Sequence, residues 1–363
     1  MIESRKNLLL LFGGVSTEHE VSCVSAASIL KHADHEKYNF ITVGITKAGK
    51  WYLTEPDEKA MASGEWENAA GNRPVYLSMN SEGCILCRAE DGNYERMSID
   101  VAFPVLHGKN GEDGTMQGLL EIAGIPYVGS NTASSAACMD KAIAKAMVEQ
   151  ADAANQAKAC VIHPCDLEEA SEAIGIFFKG EYPLFVKPAN AGSSVGISKV
   201  KEAAQLPDAL AKAFAEDDKV LVEETIVGRE IETAVLGNDD PQVSCVGEIF
   251  AAGEYYDYES KYQNAASRTE IVTDLCKEKE DEIRETALRI YEVLGCSGMA
   301  RVDFFLQEGE HGYDDGEVIF NEVNTIPGFT QISMYPQLWE ASGLPYDKLI
   351  DRLIELALEK TGQ

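Results

Sequence analysis

Residues 183–200 read PLFVKPANAGSSVGISKV, from Pro183 to Val200. An apolar run ends at Lys187, a loop of small residues follows from Ala189 to Gly196, and a second strand-like run begins at Ile197. Strand, loop and strand make a hairpin. The loop therefore opens no helix, no Gly-Lys-Ser/Thr ending follows it, and a Walker loop is excluded. A lysine at a strand end beside small residues still suits phosphate, because backbone N–H groups can approach the oxygens while the ammonium supplies charge. Gly192 to Gly196 also match the Gly-x-Ser-x-Gly pattern of a hydrolase nucleophile elbow. That elbow requires a strand-to-helix turn, and the strand that follows argues against it.

Downstream of the hairpin, a helix is expected over 202–215 and a strand at Val220–Thr225. Strands at 231–237 and 243–250 come next, then a polar stretch from Gly253 to Thr273 and an amphipathic helix over 278–294. Strands at 299–306 and 318–324 precede a closing helix over 346–360. Upstream, the apolar run Leu8–Phe12, a helix at Val21–Leu30 and strands at Phe40–Thr46 and Val101–Leu106 alternate in the α/β manner. The expected class is α/β for a doubly wound N-terminal domain and α+β for the rest, divided at 1–135, 136–227 and 228–363. The polar stretch holds Tyr255, Tyr256, Tyr258, Lys261 and Tyr262. It exceeds the ~12–15 residues of ordinary structureless loops, so a lid is expected at about 253–273.

The 363 residues carry 31 Lys+Arg against 61 Asp+Glu, a formal charge of −30. Nucleic acid and anionic membrane are poor partners for such a chain, since both are bound through basic groups. An anionic ligand must meet a local cluster of bases. No apolar run approaches the ~18 residues of a membrane span, and Leu8–Phe12 is too short for a signal-peptide core, so a cytoplasmic protein is expected. Nine cysteines without regular spacing fit reduced thiols. Cys84 and Cys87, three apart on a predicted strand, point to opposite faces and read as ordinary thiols.

The sharpest chemistry lies in Arg301-Val302-Asp303 and Glu322-Val323-Asn324. Alternation puts Arg301 with Asp303 on one strand face and Glu322 with Asn324 on another. If the strands pair through the turn near Gly309–Gly316, two carboxylates, an amide and a guanidinium converge. Oxygen ligands of this kind suit magnesium or manganese, with phosphates completing the shell; the polar face of a half-buried hairpin would show the same alternation. After the first strand, Gly13-Gly14 permits a tight turn, Thr17 and Glu20 suit a capping box, and Glu18 falls in the first helical turn at the sheet edge. His107 begins a similar loop after the Val101–Leu106 strand.

GGVSTEHEVS (13–22), LHGKNGEDGTMQG (106–118), MDK (139–141), the 183–200 hairpin, EYYDYESKY (254–262), ARVDFF (300–305) and NEVNTIPGFTQISMYP (321–336) occur in this order. Together they resemble the D-alanine–D-alanine ligases of the ATP-grasp superfamily. The resemblance implies a three-domain ATP-grasp architecture, with the doubly wound N-terminal domain as the pre-ATP-grasp domain and ATP held between the other two. It implies ATP as co-substrate, with Lys141, Lys187 and Lys261 on its phosphates and the Ser193 loop over them. Glu223, Glu224 and Ile226 would hold adenine, and Glu230 the ribose. Asp303, Glu322 and Asn324 would ligate two Mg2+ or Mn2+ ions. Glu18, with Ser193 and Tyr262, would take the first D-alanine's ammonium, and His107 would lie in that pocket. Arg301 and the backbone at Gly328 would stabilise oxyanions, and Ser333 would bind the second D-alanine's carboxylate.

The implied reaction is ligation of two D-alanines through an acyl phosphate for peptidoglycan precursors, by a cytoplasmic homodimer. Vancomycin-resistance ligases that add D-serine or D-lactate share the framework. Lys261-Tyr262 argues against D-lactate, and the apolar Met334 after Ser333 favours D-alanine over D-serine, where several D-serine enzymes carry arginine. A non-catalytic ATP-binding protein is the reading from another class, and the presence of Arg301 and Asp303 argues against it.

Overall fold

The computed structural model describes residues 5–164, 167–250 and 268–360. The first sheet comprises β1 (Lys6–Gly13), β2 (Tyr38–Ile45), β3 (Trp51–Thr54), β4 (Arg73–Leu77), β5 (Cys84–Arg88), β6 (Tyr94–Ser98) and β7 (Val101–Pro104). Its order is β6-β5-β4-β3-β2-β1-β7. β1 runs parallel to both β2 and β7, while β3 to β6 extend the sheet as an antiparallel meander. The run Leu8–Phe12 lacks polar alternation because β1 is covered on both faces. Leu8, Leu10 and Phe12 pack on Cys23, Ala26 and Ile29 of helix His19–His32, and Leu9 and Leu11 on Met116 and Leu120 of helix Thr115–Ala123.

β8 (Asn155–Gln156) precedes the second sheet, made of β9 (Ala159–Ile162), β10 (Leu184–Pro188), β11 (Ser198–Val200) and β12 (Val220–Glu224). These strands are antiparallel in the order β11-β10-β12-β9, so the 183–200 stretch is the hairpin its pattern predicts. One face is covered by helices Leu167–Phe177 and Leu206–Phe214. The third sheet holds β13 (Arg229–Gly237), β14 (Gln242–Phe250), β15 (Arg268–Ile271), β16 (Gly298–Leu306) and β17 (Val318–Asn324), in the order β15-β14-β13-β16-β17-β8. Helix Lys277–Val293 packs on it through Ile283, Ala287 and Ile290.

The closing helix Tyr346–Glu359 buries Leu349, Ile350, Leu353 and Ile354, an α-helical spacing, in one core with Leu8 and Leu10 of the first sheet and Leu236 and Met299 of the third. That shared core locks the N-terminal and C-terminal sheets together. Three local details go beyond what the sequence pattern showed. The region expected as a lid ends in strand: Arg268–Ile271 pairs with β14, because Thr269 and Ile271 continue the ladder, and residues 253–267 lie outside the described residues. The helix starts at His19 with Glu18, not Thr17, as N-cap, and Glu20 pairs with Lys47. Residues 141–156, grouped by sequence with the second unit, contribute β8 to the third sheet beside β17.

Candidate active site

Register brings the first group together. Arg301 lies opposite Asn324 and Asp303 opposite Glu322 across β16 and β17, and Glu232 on β13 lies opposite Asp303 from the other side. Arg301 donates through Nε and Nη2 to the two oxygens of Asp303 at 2.8 and 2.8 Å, and Nη2 lies 3.1 Å from Glu232 Oε1. Burial alone would weaken the guanidinium's hold on its proton, but Asp303 and Glu232 outweigh burial and raise its pKa well above the ordinary value. Asn324 Nδ2 donates to Asp303 Oδ2 at 3.0 Å, which leaves its amide oxygen as a remaining acceptor.

The lysines are held by their own carboxylates. Asp140 caps helix Lys141–Gln150 by accepting from the N–H groups of Ala142 and Ile143. Lys141 Nζ then reaches Glu322 at 3.0 Å and the Ala191 carbonyl of the hairpin loop at 2.9 Å. One turn on, Lys145 meets Glu223 at 2.8 Å, and Lys187 at the end of β10 meets its other oxygen at 2.5 Å. Burial would raise the Glu223 carboxyl, but the two ammonium groups overcome this and hold it at about 2. Glu223 therefore spends its side chain on the lysines, which leaves only its backbone to meet a base.

Glu18 is buried at the start of its helix, where Ser193 Oγ donates to it at 2.5 Å. The carboxylate fits only because two neighbours lack side chains: a Cβ at Gly108 or Gly192 would lie 2.7 or 2.8 Å from Oε2. Ser193 and Ser194 sit at φ of 47° and 59°, an uncommon conformation for residues other than glycine, and the turn carries the loop over Glu18. His107 Nδ1 lies 2.9 Å from the Ile326 carbonyl, which can only accept, so that nitrogen carries the proton. Burial lowers the His107 pKa. The neutral ring accepts at Nε2 from Ser25 Oγ at 3.3 Å, and both nitrogens are committed. Glu112 accepts from Gly108 N–H at 2.6 Å and Ile326 N–H at 3.3 Å; burial and the nearby Glu18 push its pKa up to about 8.

Two cavities meet at this centre. One, of about 330 Å³, lies between the second and third sheets and is lined by Lys187, Glu223, Glu224, Ile226 and Glu230. The other, of about 480 Å³, is lined by Glu18, His107, Ser193, Asn324, Gly328, Ser333 and Met334. Lys141, Glu232, Arg301 and Glu322 belong to both walls. Asp303 lines the first. The candidate residues thus gather at one junction, except Lys261 and Tyr262, which lie outside the described residues. Ser333 is the N-cap of helix Met334–Ala341, and its Oγ accepts from Thr330 N–H at 3.1 Å.

Residues 7–130 match the family described as D-ala D-ala ligase N-terminus, and residues 144–355 that described as D-ala D-ala ligase C-terminus. The chain belongs to the D-alanine–D-alanine ligase family. It is 48% identical to a D-alanine–D-alanine ligase of Caldicellulosiruptor bescii, covering 99% of this chain and 97% of that one. The corresponding enzyme of Acetivibrio thermocellus is 47% identical, with 98% and 96% covered. Among solved structures, the VanG D-Ala:D-Ser ligase of Enterococcus faecalis matches with a TM-score of 0.85 at 40% identity, covering 98% and 100%. The D-alanine–D-alanine ligase of Coxiella burnetii matches at 0.84 and 36%, covering 99% and 95%.

Three residues of this ligase-family site were given no role by the sequence reading. Lys145 follows Lys141 by four on one helix, so i,i+4 spacing could have found it. Glu232 shares a strand face with Glu230. Glu112 stands within the 106–118 motif, but its irregular loop carries no periodicity that would show its partners.

Proposed function

We propose that this chain joins two D-alanines to D-alanyl-D-alanine at the expense of ATP, releasing ADP and phosphate, as a step in peptidoglycan precursor synthesis. The observation that carries this reading is the junction: a cavity fit for a nucleotide and one fit for small zwitterions share Lys141, Arg301 and Glu322. A carboxylate is a poor electrophile and must be activated. The first D-alanine, its ammonium against Glu18, turns its carboxylate toward the γ-phosphate, whose charge Lys141 and Lys187 offset. Phosphoryl transfer leaves an acyl phosphate. The second D-alanine, its carboxylate at Ser333 and the N-terminus of helix Met334–Ala341, attacks through its amine. The oxyanion that forms on the carbonyl falls between Arg301 and the Gly328 N–H, and phosphate departs.

Adenine is assigned to the backbone of Glu223–Ile226 and the ribose to Glu230, with Glu224 beside them. Lys261 and Tyr262 are assigned to closure over the acyl phosphate, which water would otherwise hydrolyse. Among the described residues no three His, Cys, Asp or Glu side chains form a metal cluster, whereas Asp303, Glu322 and the Asn324 amide offer a partial oxygen set. Such a set fits Mg2+ or Mn2+ ions whose shell is completed by phosphate oxygens, and bound there they would neutralise phosphate charge. We divide the chain into working units near residues 135 and 227, the second lending residues 141–156 to the third sheet.

A homodimer in the cytoplasm is the finer expectation that the family relation supports. No helix among the described residues is long and apolar enough to cross a membrane. A second reading, a D-serine acceptor, is favoured by the likeness to the VanG enzyme. Against it stands Met334, a buried thioether packed beside Gly247 with no donor to offer a hydroxyl. The test is phosphate release by the purified chain with ATP, Mg2+ and D-alanine, alone and with D-serine or D-lactate, with products identified by mass. D-alanyl-D-alanine as the main product supports the proposal. A mixed product moves the assignment to the second reading, and no turnover overturns both.

A further inference from the structure

The loop that presents Gly328 is gripped on both sides from outside its own sheet. Ile326 N–H donates to Glu112 and the Ile326 carbonyl accepts from His107 at 2.9 Å. Phe329 N–H donates to Ser25 Oγ at 3.3 Å, and the Phe329 carbonyl accepts from Tyr346 Oη at 2.7 Å. Ser25, His107 and Glu112 belong to the N-terminal unit and Tyr346 to the closing helix. Between these clamps, Pro327 has no N–H and its ring fixes φ. Among the described residues, Gly328 makes no backbone hydrogen bond of its own. Ile326, Pro327 and Phe329 are buried while Gly328 is half-buried at the cavity wall. The four bonds therefore leave one N–H available and fix where it sits.

Glu112 is the member of this set that joins two subsites. Its Oε2 takes Gly108 N–H at 2.6 Å and its Oε1 takes Ile326 N–H at 3.3 Å. Gly108 is one of the two glycines that make room for Glu18. One carboxyl group thus ties the wall of the first amino-acid pocket to the loop that carries the oxyanion donor. We propose that Glu112 is a positioning residue of the ligation step, holding the Gly328 N–H on the reacting carbonyl through Ile326 while keeping the Glu18 pocket in register with it. This rests on the ligase reading above and adds a division of labour to it. Charge develops on the phosphoryl oxygens in the first step and on the carbonyl oxygen in the second, so a loosened Gly328 loop hampers capture of the acyl phosphate more than its formation. Acyl phosphate that is not captured reacts with water: a water oxygen bonds to the carbonyl carbon, the carbon–phosphate oxygen bond breaks, and phosphate and D-alanine are released without dipeptide.

Glu112→Gln tests this at nearly constant volume. Either oxygen of a carboxyl group, protonated or not, can accept from an N–H, whereas the NH2 of a glutamine cannot, so either Gly108 N–H or Ile326 N–H loses its acceptor. The ratio of phosphate released to dipeptide formed is measured with ATP and D-alanine saturating. The wild-type ratio is expected near one. In Glu112→Gln it is expected to rise severalfold, with dipeptide formation down about ten- to a hundredfold and KM for ATP within about twofold. Ser25→Ala, which removes the acceptor of Phe329 N–H and the hydroxyl that donates to His107 Nε2 but leaves both contacts of Glu112 in place, is expected to raise the ratio less and serves as the test if Glu112→Gln fails to melt cooperatively. A ratio that stays at one in both variants overturns the inference, whether turnover is unchanged or both products fall together. A wild-type chain that makes no dipeptide overturns the ligase reading instead.

Discussion

Neutralising Glu223 removes the shared counterion of two buried ammonium groups, and the size of the effect follows from its titration. The carboxyl is held at about 2 against an ordinary 4.5 because Lys187 and Lys145 outweigh its burial. At about 1.4 kcal/mol for each tenfold change in proton affinity, the ionised form contributes about 3 kcal/mol to the folded state. That agrees with the ~3–5 kcal/mol typical of breaking a buried pair from one side. The folded pKa is depressed, so this contribution is complete above 4.5, is lost as pH falls through the window from 4.5 to about 2, and is absent below it. Glu223→Gln mimics the protonated state at every pH. Amide exchange of β10 and β12 peptides, followed by mass spectrometry in both proteins at matched pH, reads the local difference without assuming two-state unfolding of three packed sheets. The variant is expected to exchange about a hundredfold faster at pH 7, and the ratio to shrink toward one below pH 4.5. A ratio below about threefold at pH 7, or one that persists unchanged at pH 3, would refute the reasoning.

Other substitutions probe the junction. Gly192→Ala places a Cβ 2.8 Å from Glu18 Oε2, so KM for the first D-alanine is expected to rise about tenfold while KM for ATP stays within about twofold. Glu232→Gln weakens one of the two carboxylate partners of Arg301, and kcat is expected to fall about tenfold, ~1.4 kcal/mol, as measured by steady-state kinetics. With equal D-alanine and D-serine, the apolar Met334 wall is expected to favour D-alanyl-D-alanine over the mixed dipeptide by about 10- to 200-fold, since a wall that cannot hydrogen-bond a hydroxyl also cannot reject it strongly. Quantitative mass spectrometry of the products measures that ratio, and a preference for the mixed product would count against Met334 as the selecting residue.

The residues read most easily from sequence were those on regular elements. Arg301, Asp303, Glu322 and Asn324 could be placed on facing positions because strand alternation has a period of two and the β16–β17 register preserves it. The hairpin at 183–200 was legible for the same reason. Side-chain choices at the helix start were not: Glu20 found Lys47 across 27 positions of chain, a partner that local capping patterns do not contain. Likewise, nothing local shows that β8 joins β17, because a two-residue strand carries no periodic signal and its partner lies about 160 residues away. Lys145, Glu232 and Glu112 make contacts set by tertiary packing, which is why the sequence reading gave them no role.

The acidity of the chain also takes a different meaning once the site is seen. A protein of net charge −30 was expected to gather bases for its anionic ligand; among the described residues, three bases at the junction are already matched by carboxylates: Lys141 by Glu322, Lys187 by Glu223, and Arg301 by Asp303 and Glu232. On the proposed assignment, nucleotide phosphates would exchange partners with carboxylates rather than meet bare cations. Two of those carboxylates, Glu322 and Asp303, are also the proposed metal ligands, so a divalent ion that engages them relieves Lys141 and Arg301 in the same event. The exchange makes a prediction whose sign depends on conditions. With Mg2+ present, Glu322→Gln removes a ligand and is expected to weaken ATP binding. In chelator, the same change relieves Lys141 of its counterion and is expected to strengthen ATP binding about tenfold, ~1.4 kcal/mol by calorimetry, roughly one charge-assisted hydrogen bond. Weaker binding under both conditions would mean that Glu322 holds Lys141 in place for the phosphates rather than competing with them.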